Sequence, residues 1–138
     1  MSTPNDGWDN LGTHFIRFDE PDIVVCRLKG AVTAADVQAG AAYMEKTAAR
    51  IGRGIFYLSI MTDLTHYSPS TAAKTFKEPP TYLRASAMCG ASYHQRALFG
   101  AINRATRLLG LEWSKLPVEM FADEASARAW IDELRRKG

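Results

Sequence analysis

Residues 55–61 read IFYLSIM, a nearly continuous apolar run of strand length. A strand that is apolar on both faces is typical of a parallel sheet covered by helices on both sides. The run meets polar residues at Thr62 and Asp63. We therefore predict a buried central strand that ends there, and the neighbouring segments should supply the rest of a covered sheet.

Upstream of this run, residues 14–18 (HFIRF) and 23–29 (IVVCRLK) have the composition of two strands joined by a short polar turn. So short a link favours a hairpin. A helix should follow, because Thr33 with Asp36 resembles a capping box and apolar residues then recur at helical spacing. Gly52 is placed to end that helix.

Downstream, the pattern predicts a short helix, a strand, a long helix, a strand and a closing helix capped by Asp123. The short helix covers residues 69–77 and the strand after it 84–89. The long helix covers residues 93–110 and the last strand 118–122. The predicted order is β-β-α-β-α-β-α-β-α. Alternating strands and helices indicate one α/β domain over residues 13–138, with a mainly parallel sheet of about five strands and four covering helices. Residues 1–12 should form a flexible N-terminal arm.

Length and composition limit the class of protein. The chain has 138 residues, of which 46% are hydrophobic and 23% charged, and a net charge of +2. This indicates one globular domain and excludes a disordered chain or a disulfide scaffold. No apolar run approaches the roughly 20 residues of a membrane span. Residues 1–10 lack the features of a signal peptide, so we expect a cytoplasmic protein with Cys26 and Cys89 as buried free thiols.

Three short motifs begin at Leu28, Ala87 and Met120. Together they resemble the STAS domain superfamily, which has the SpoIIAA-like fold, and especially its small stand-alone STAS/SEC14-like bacterial members. The first is Leu28-Lys29-Gly30 followed by Thr33-Ala34-Ala35-Asp36, similar to the family's strand, glycine and capped helix. The second is Ala87-Met88-Cys89-Gly90-Ala91-Ser92, and the third is Met120-Phe121-Ala122-Asp123-Glu124-Ala125 with Ala129-Trp130-Ile131. The resemblance covers residues 14–136 and implies a SpoIIAA-like α/β fold.

The resemblance also implies a non-enzymatic regulatory or protein-interaction module. In signalling members, a partner kinase phosphorylates a Ser or Thr at the start of the helix after the third strand. The matching segment here runs from Asp63 to Thr71 and lacks the Asp-Ser pair that those members typically have. Its hydroxyl groups nevertheless make three residues candidates for phosphorylation, Ser68, Ser70 and Thr71.

The alternative function is a carrier or sensor of an anionic or lipid-like small molecule. In open α/β sheets, ligands bind beyond the carboxyl ends of parallel strands. If the two central strands are neighbours, their ends bring six candidate ligand-binding residues to one crevice: Asp63, His66, Tyr67, Ser92, His94 and Arg96. The competing interpretation is structural, with Ser92 capping a helix, His94 and Arg96 solvated, and Asp63 bonded within a turn. His14 is expected to be structural or exposed.

An enzyme would rest on Asp63 and His66 as an acid–base pair in the loop after the central strand, and the sequence offers little further support for one. It has no phosphate-binding glycine loop, no nucleophile elbow and no histidine spacing typical of a metal site, so we expect neither a cofactor nor a metal. Four arginines and no acidic residue lie between Pro79 and Leu111. Arg96, Arg104 and Arg107 share one helix face, either solvated or facing an acidic partner or lipid headgroup. We expect no nucleic-acid binding, and a homodimer is plausible because the first hairpin leaves a sheet edge.

Overall fold

The computed structural model of the protein describes residues 7–66, 79–108 and 115–138, without the side chains of residues 102, 103 and 105–107. Its strands are β1 (Asp9–Leu11), β2 (His14–Asp19), β3 (Ile23–Ala31), β4 (Ile55–His66), β5 (Leu83–Cys89) and β6 (Val118–Phe121). The helices within these residues are α1 (Ala34–Ile51), α2 (Tyr93–Leu108) and α3 (Glu124–Lys137).

One sheet contains all six of these strands, in the order in which they follow along the chain. β1, β2 and β3 pair antiparallel, whereas β3, β4, β5 and β6 pair parallel. The predicted hairpin is therefore the β2–β3 pair, and the prediction of a mainly parallel sheet is confirmed. β4 lies between β3 and β5, as its apolar sequence requires.

The two faces of the sheet carry separate hydrophobic cores. Val24 and Cys26 of β3 face α1 and pack near its buried Met44 and Ala48. Ile23, Val25, Phe56 and Leu58 point to the opposite face, where they meet Ala127 and Ile131 of α3. Successive residues of a strand alternate between faces, so burial of consecutive residues in β3 and β4 follows from cover on both sides.

The helix ends follow the local signals in the sequence. The Thr33 hydroxyl accepts a hydrogen bond from the Asp36 backbone N–H, and the Asp36 side chain accepts one from the Thr33 backbone N–H. Gly52 ends α1 in the left-handed conformation at φ +70°. The side chain of Asp123 accepts a hydrogen bond from the Ser126 backbone N–H at the start of α3. The predicted caps at Thr33, Gly52 and Asp123 are confirmed.

The described elements differ from the prediction in two places. The prediction of five strands is wrong by one, because residues assigned to the flexible arm form β1, which pairs with β2 and buries Leu11. β4 runs on to His66, since parallel pairing with β3 continues from Lys29↔Asp63 to Ala31↔His66. The short helix predicted over residues 69–77 lies outside the described residues.

Candidate functional site

The ends of β3, β4 and β5 meet at one edge of the sheet, here called the carboxyl edge (residues 29–31, 62–66 and 89–92). β4 and β5 are direct neighbours, with Ile60 opposite Cys89. Just beyond, Gly90 has φ +75°, and a Cβ there would lie 2.4 Å from the Thr62 hydroxyl oxygen. The condition for the predicted crevice, that the two strand ends adjoin, is therefore met.

A capping box fixes the start of α2 at this edge. The Gln95 backbone N–H donates to the Ser92 hydroxyl at 3.1 Å, and the Ser92 backbone N–H donates to Gln95 Oε1 at 2.8 Å. The Gln95 Nε2 group also donates to the Leu64 carbonyl at 3.4 Å. Ser92 thus acts as a helix cap in this structure, and Gln95 ties α2 to β4.

The first turn of α2 presents three neighbouring side chains to solvent. Tyr93 is 81% exposed, and His94 and Arg96 are also exposed. Leu98, one turn on, is 39% exposed. A single exposed ring is ordinary on a protein surface, but here Tyr93 stands next to the exposed His94 and Arg96, so that the three side chains form one exposed group. The carboxyl edge therefore offers an open, mixed aromatic and cationic surface.

Asp63 and His66 lie on β4 itself, rather than in a loop after it. Both side chains are exposed, and no hydrogen bond or ion pair links them to each other in the part of the chain described. Three residues apart on a strand, they do not form an acid–base pair here. Tyr67, Ser68, Ser70 and Thr71 lie outside the described residues, so those candidates remain predictions.

His14, expected to be structural or exposed, is buried and structural. Its Nδ1 accepts the Lys29 backbone N–H at 2.9 Å, so Nε2 carries the proton and donates to Asp36 Oδ2 at 3.0 Å. Burial would raise the pKa of Asp36, but hydrogen bonds from Thr33 and His14 outweigh it and lower that pKa. The His14 side chain is only 1% exposed. It links the start of α1, through Asp36, to the β2–β3 hairpin, through Lys29.

Both cysteines are buried and free, as the sequence predicts. Burial raises the pKa of Cys26 to about 11, and burial also raises the pKa of Cys89. The thiolate is the nucleophilic form of cysteine. Neither side chain is therefore set up for nucleophilic chemistry at neutral pH.

A second charged cluster lies at the opposite edge of the sheet, here called the amino edge (residues 19–23, 53–56 and 83–85, with the end of α3). There the fully buried carboxylate of Asp22 faces three guanidinium groups, those of Arg53, Arg84 and Arg135. Sequence reasoning missed this cluster. The acid-free stretch that includes Arg84 was its one visible signal, and it did not indicate which carboxylate the arginine would meet.

Shallow depressions open on the described surface, and two of them have defined linings. One, of about 450 Å³, lies between α1 and Tyr82, and the other, of about 370 Å³, is lined by Arg84 and Lys115 among others. No group of three or more metal-ligating side chains occurs in residues 7–66, 79–108 and 115–138. No helix in these ranges combines the length and the apolarity that crossing a membrane requires.

The fold is similar to those of two solved structures. An uncharacterised protein of the DUF3478 family with a SpoIIAA-like fold, from Shewanella loihica PV-4, superposes with a TM-score of 0.58 at 19% identity, over 83% of this chain and 88% of that one. The anti-sigma factor antagonist SpoIIAA, in its unphosphorylated form, gives a TM-score of 0.56 at 19% identity, over 89% and 98%. No protein-family model and no curated protein matches the sequence. The chain has a SpoIIAA-like, STAS-like fold.

Proposed function

We propose that this chain, on the premise of its SpoIIAA-like fold, is a non-enzymatic regulatory module that docks an acidic partner protein on the first turns of α2. The observation that carries the proposal is the exposure of Tyr93 on a rigid base. Its neighbours are fixed by the Ser92–Gln95 capping box and by the bond from Gln95 to β4. Tyrosine and arginine are the residues most enriched where binding energy concentrates in protein interfaces.

Charge points to an acidic partner. Arg96 and Arg104 are exposed on α2, and their helix positions fall on one face. No acidic residue occurs in the sequence between Pro79 and Leu111 to neutralise them. A partner with Asp or Glu side chains complements this surface, and complementarity of that kind speeds encounter and excludes wrong partners.

The similar fold of an anti-sigma factor antagonist supports a role in protein interaction. Ser68, Ser70 and Thr71 stay as our proposed modification sites, because they follow β4 in the sequence and β4 ends at the carboxyl edge. A phosphate group adds a charge of about −1.5 to −2. Next to a surface that selects an acidic partner, this charge would weaken docking. A cytoplasmic location is part of the same proposal.

A homodimer is a weaker proposal. It rested on the sheet edge left by the β2–β3 hairpin, and β1 covers the outer side of β2. A dimer would therefore have to pair through the three-residue strand β1 or through another surface. Size-exclusion chromatography with light scattering gives the oligomeric state directly.

The docking proposal is tested by affinity capture with three versions of the full chain. These are the wild type, the double variant Tyr93→Ser/Arg96→Glu, and the control Arg136→Glu, which makes the same charge change at an exposed position at the end of α3. Quantitative mass spectrometry should find a partner with the wild type and the control that is lost with the double variant. That partner should be released by salt, because the screening length falls from about 10 Å at 0.1 M to about 3 Å at 1 M.

Two results would overturn the docking proposal. One is a partner that the double variant retains in full. The other is the absence of any partner together with a non-covalent mass excess in the native mass spectrum of the protein from its host. That second result favours the small-molecule carrier. A covalent excess of one phosphate, mapped to Ser68, Ser70 or Thr71, would support the proposed modification sites.

A further inference from the structure

At the amino edge, three arginines surround the single carboxylate of Asp22. The Asp22 side chain is fully buried, and Arg135 donates to both of its oxygens through Nε and Nη2. Arg53 Nη2 donates to Asp22 Oδ2 at 3.0 Å, and Arg84 Nη1 lies 3.7 Å from the same oxygen. Asp132 adds a second carboxylate through Arg135 Nη1. Three guanidinium groups thus share the carboxylates of Asp22 and Asp132.

The three arginines differ in how many of their donor groups are in use. Arg135 donates through all three of its side-chain nitrogens, and Arg53 through one. Arg84 is too far from Asp22 for a hydrogen bond, and its guanidinium donates none to any residue that the structure describes. A guanidinium has five N–H donors. The unused donors at the amino edge therefore belong to Arg84 and, in part, to Arg53.

Arg84 is nevertheless held in place. It is the extra residue of a β-bulge, because Ile55 pairs with Leu83 and the next residue, Phe56, pairs with Ala85. Bulges re-aim side chains and recur next to functional sites. The aliphatic part of the Arg84 side chain packs on Gly54, where the Cβ of any other residue would lie 2.8 Å from Arg84 Cγ. The Arg84 guanidinium lies 4.5 Å from the centre of the Phe56 ring. Packing and charge position this group, leaving its hydrogen bonds for a ligand.

A depression of about 370 Å³ adjoins Arg84. Lys115 also lines it, Leu83, Leu116 and Pro117 contribute apolar surface, and none of the described residues that line it is acidic. Lysine and arginine beside apolar walls suit a ligand with a charged head and an apolar body. A guanidinium donates two parallel hydrogen bonds to a phosphate, and the unused donors of Arg84 and Arg53 suit a phosphate monoester, which is close to a dianion at neutral pH.

We propose that Arg84, assisted by Arg53, forms an oxyanion site at the amino edge that binds the phosphate group of a phosphate monoester, whose body lies in the depression beside Lys115. This site lies across the sheet from the docking surface, and it goes beyond the proposed function. Arg135 is needed to neutralise the buried Asp22, whereas Arg84 is proposed to bind the ligand. A variant of Arg84 therefore tests ligand binding.

The test is a titration of the ¹⁵N-labelled full chain with phenyl phosphate and, separately, with inorganic phosphate, followed by amide chemical shifts. Shifts should concentrate at Gly54, Arg84 and Lys115, and phenyl phosphate should bind more tightly than inorganic phosphate. Arg84→Gln should weaken binding at least tenfold while the spectrum stays that of a folded protein, because the Arg84 side chain donates no hydrogen bond to a described residue and Arg53 and Arg135 still donate to Asp22. Arg136→Gln, at an exposed position on α3, should bind like the wild type.

Three outcomes would overturn the proposal. The first is that no amide shifts occur at the amino edge with phosphate at about 10 mM. The second is that Arg84→Gln binds with unchanged affinity. The third is that shifts of equal size occur at every arginine-rich surface, which would mean non-specific ion binding. Equal affinity for the two phosphates would overturn the assignment of the depression to the body of the ligand. Shifts confined to Tyr93 and Arg96 would place the anion at the docking surface instead.

Discussion

The two edges of the sheet hold charge in opposite ways. At the amino edge, a fully buried carboxylate, Asp22, is surrounded by arginines from a loop, a strand and a helix. At the carboxyl edge, Asp63 and His66 are exposed on β4 without bonding each other. One edge is a packed ionic cluster, and the other is an open polar surface.

This difference corrects a general expectation about α/β sheets. Ligands are expected at the carboxyl edge because the helices begin there. In this chain the Ser92 hydroxyl and the Asp36 carboxylate, which lie at those helix starts, are engaged in caps. The amino edge collects arginines instead, since α1 and α3 end there and cations favour helix C-termini. The open carboxyl edge suits docking, and the charged amino edge suits an anion.

Removing the buried carboxylate should have the largest effect. Asp22→Asn keeps the shape of the side chain but leaves Arg53 and Arg135 without their counter-charge, and loss of one partner from a buried ion pair costs about 3–5 kcal/mol. Urea denaturation should show this loss in the free energy of unfolding. Asp63→Asn makes the same change at the carboxyl edge and should alter that energy by less than about 0.5 kcal/mol. Equal losses would remove the contrast between the edges.

The second prediction compares a buried histidine that bonds to the carboxyl edge, His14, with an exposed histidine on that edge, His66. His14→Leu leaves the Lys29 N–H and the Asp36 carboxylate without their partner, which should cost about 3 kcal/mol in all. His66→Leu is the matched control, because His66 is exposed, and its cost should stay below about 0.5 kcal/mol. The measurement is again urea denaturation of both variants. A comparable loss in His66→Leu would mean that His66 has a structural role that the exposed strand end conceals.

The third prediction tests how tightly the ends of β4 and β5 approach. Gly90→Ala places a Cβ 2.4 Å from the Thr62 hydroxyl oxygen at φ +75°, whereas Gly52→Ala at φ +70° meets no atom within 4 Å. The left-handed conformation alone should cost about 1 kcal/mol in Gly52→Ala, and the added collision should bring Gly90→Ala to about 2 kcal/mol. Thermal unfolding compares the two. Equal costs would mean that Thr62 moves aside freely.

The smallest effect should be a pH-dependent one at the amino edge. Burial would raise the pKa of Asp19, but hydrogen bonds and charge from Arg128 and Arg17 lower it below 3.8. The stability this gives is complete above the unfolded pKa and is lost as pH falls through the lower folded pKa. Asp19→Asn should therefore cost about 1 kcal/mol at pH 7, and the difference from the wild type should vanish as pH falls below about 4. A difference that persists in acid would contradict this account.

Much of the fold could be predicted from local pattern. The apolar run at residues 55–61 indicated a central strand because both of its faces need cover, and Thr33 with Asp36 indicated the start of α1 because a cap bonds within one turn. β1 escaped prediction, since three residues carry too little periodicity and only pairing with β2 orders them. For the carboxyl edge, the sequence placed Ser92, His94 and Arg96 at the correct helix start, but nothing in the local pattern indicated that Tyr93 beside them is exposed.

By itself, then, the sequence determined the strands β2 to β6, the starts of the three described helices, and the cover on both sides of the sheet, because these properties depend on spacing within a few residues. The tertiary structure alone decided which charges meet. Arg53 reaches Asp22 across 31 positions and Arg135 across 113. Those contacts follow from strand order, from the bulge at Arg84 and from the path of α3 back to the amino edge. Pattern within a segment carries no information on such distances, because the approach of two segments is set by the packing of the whole core.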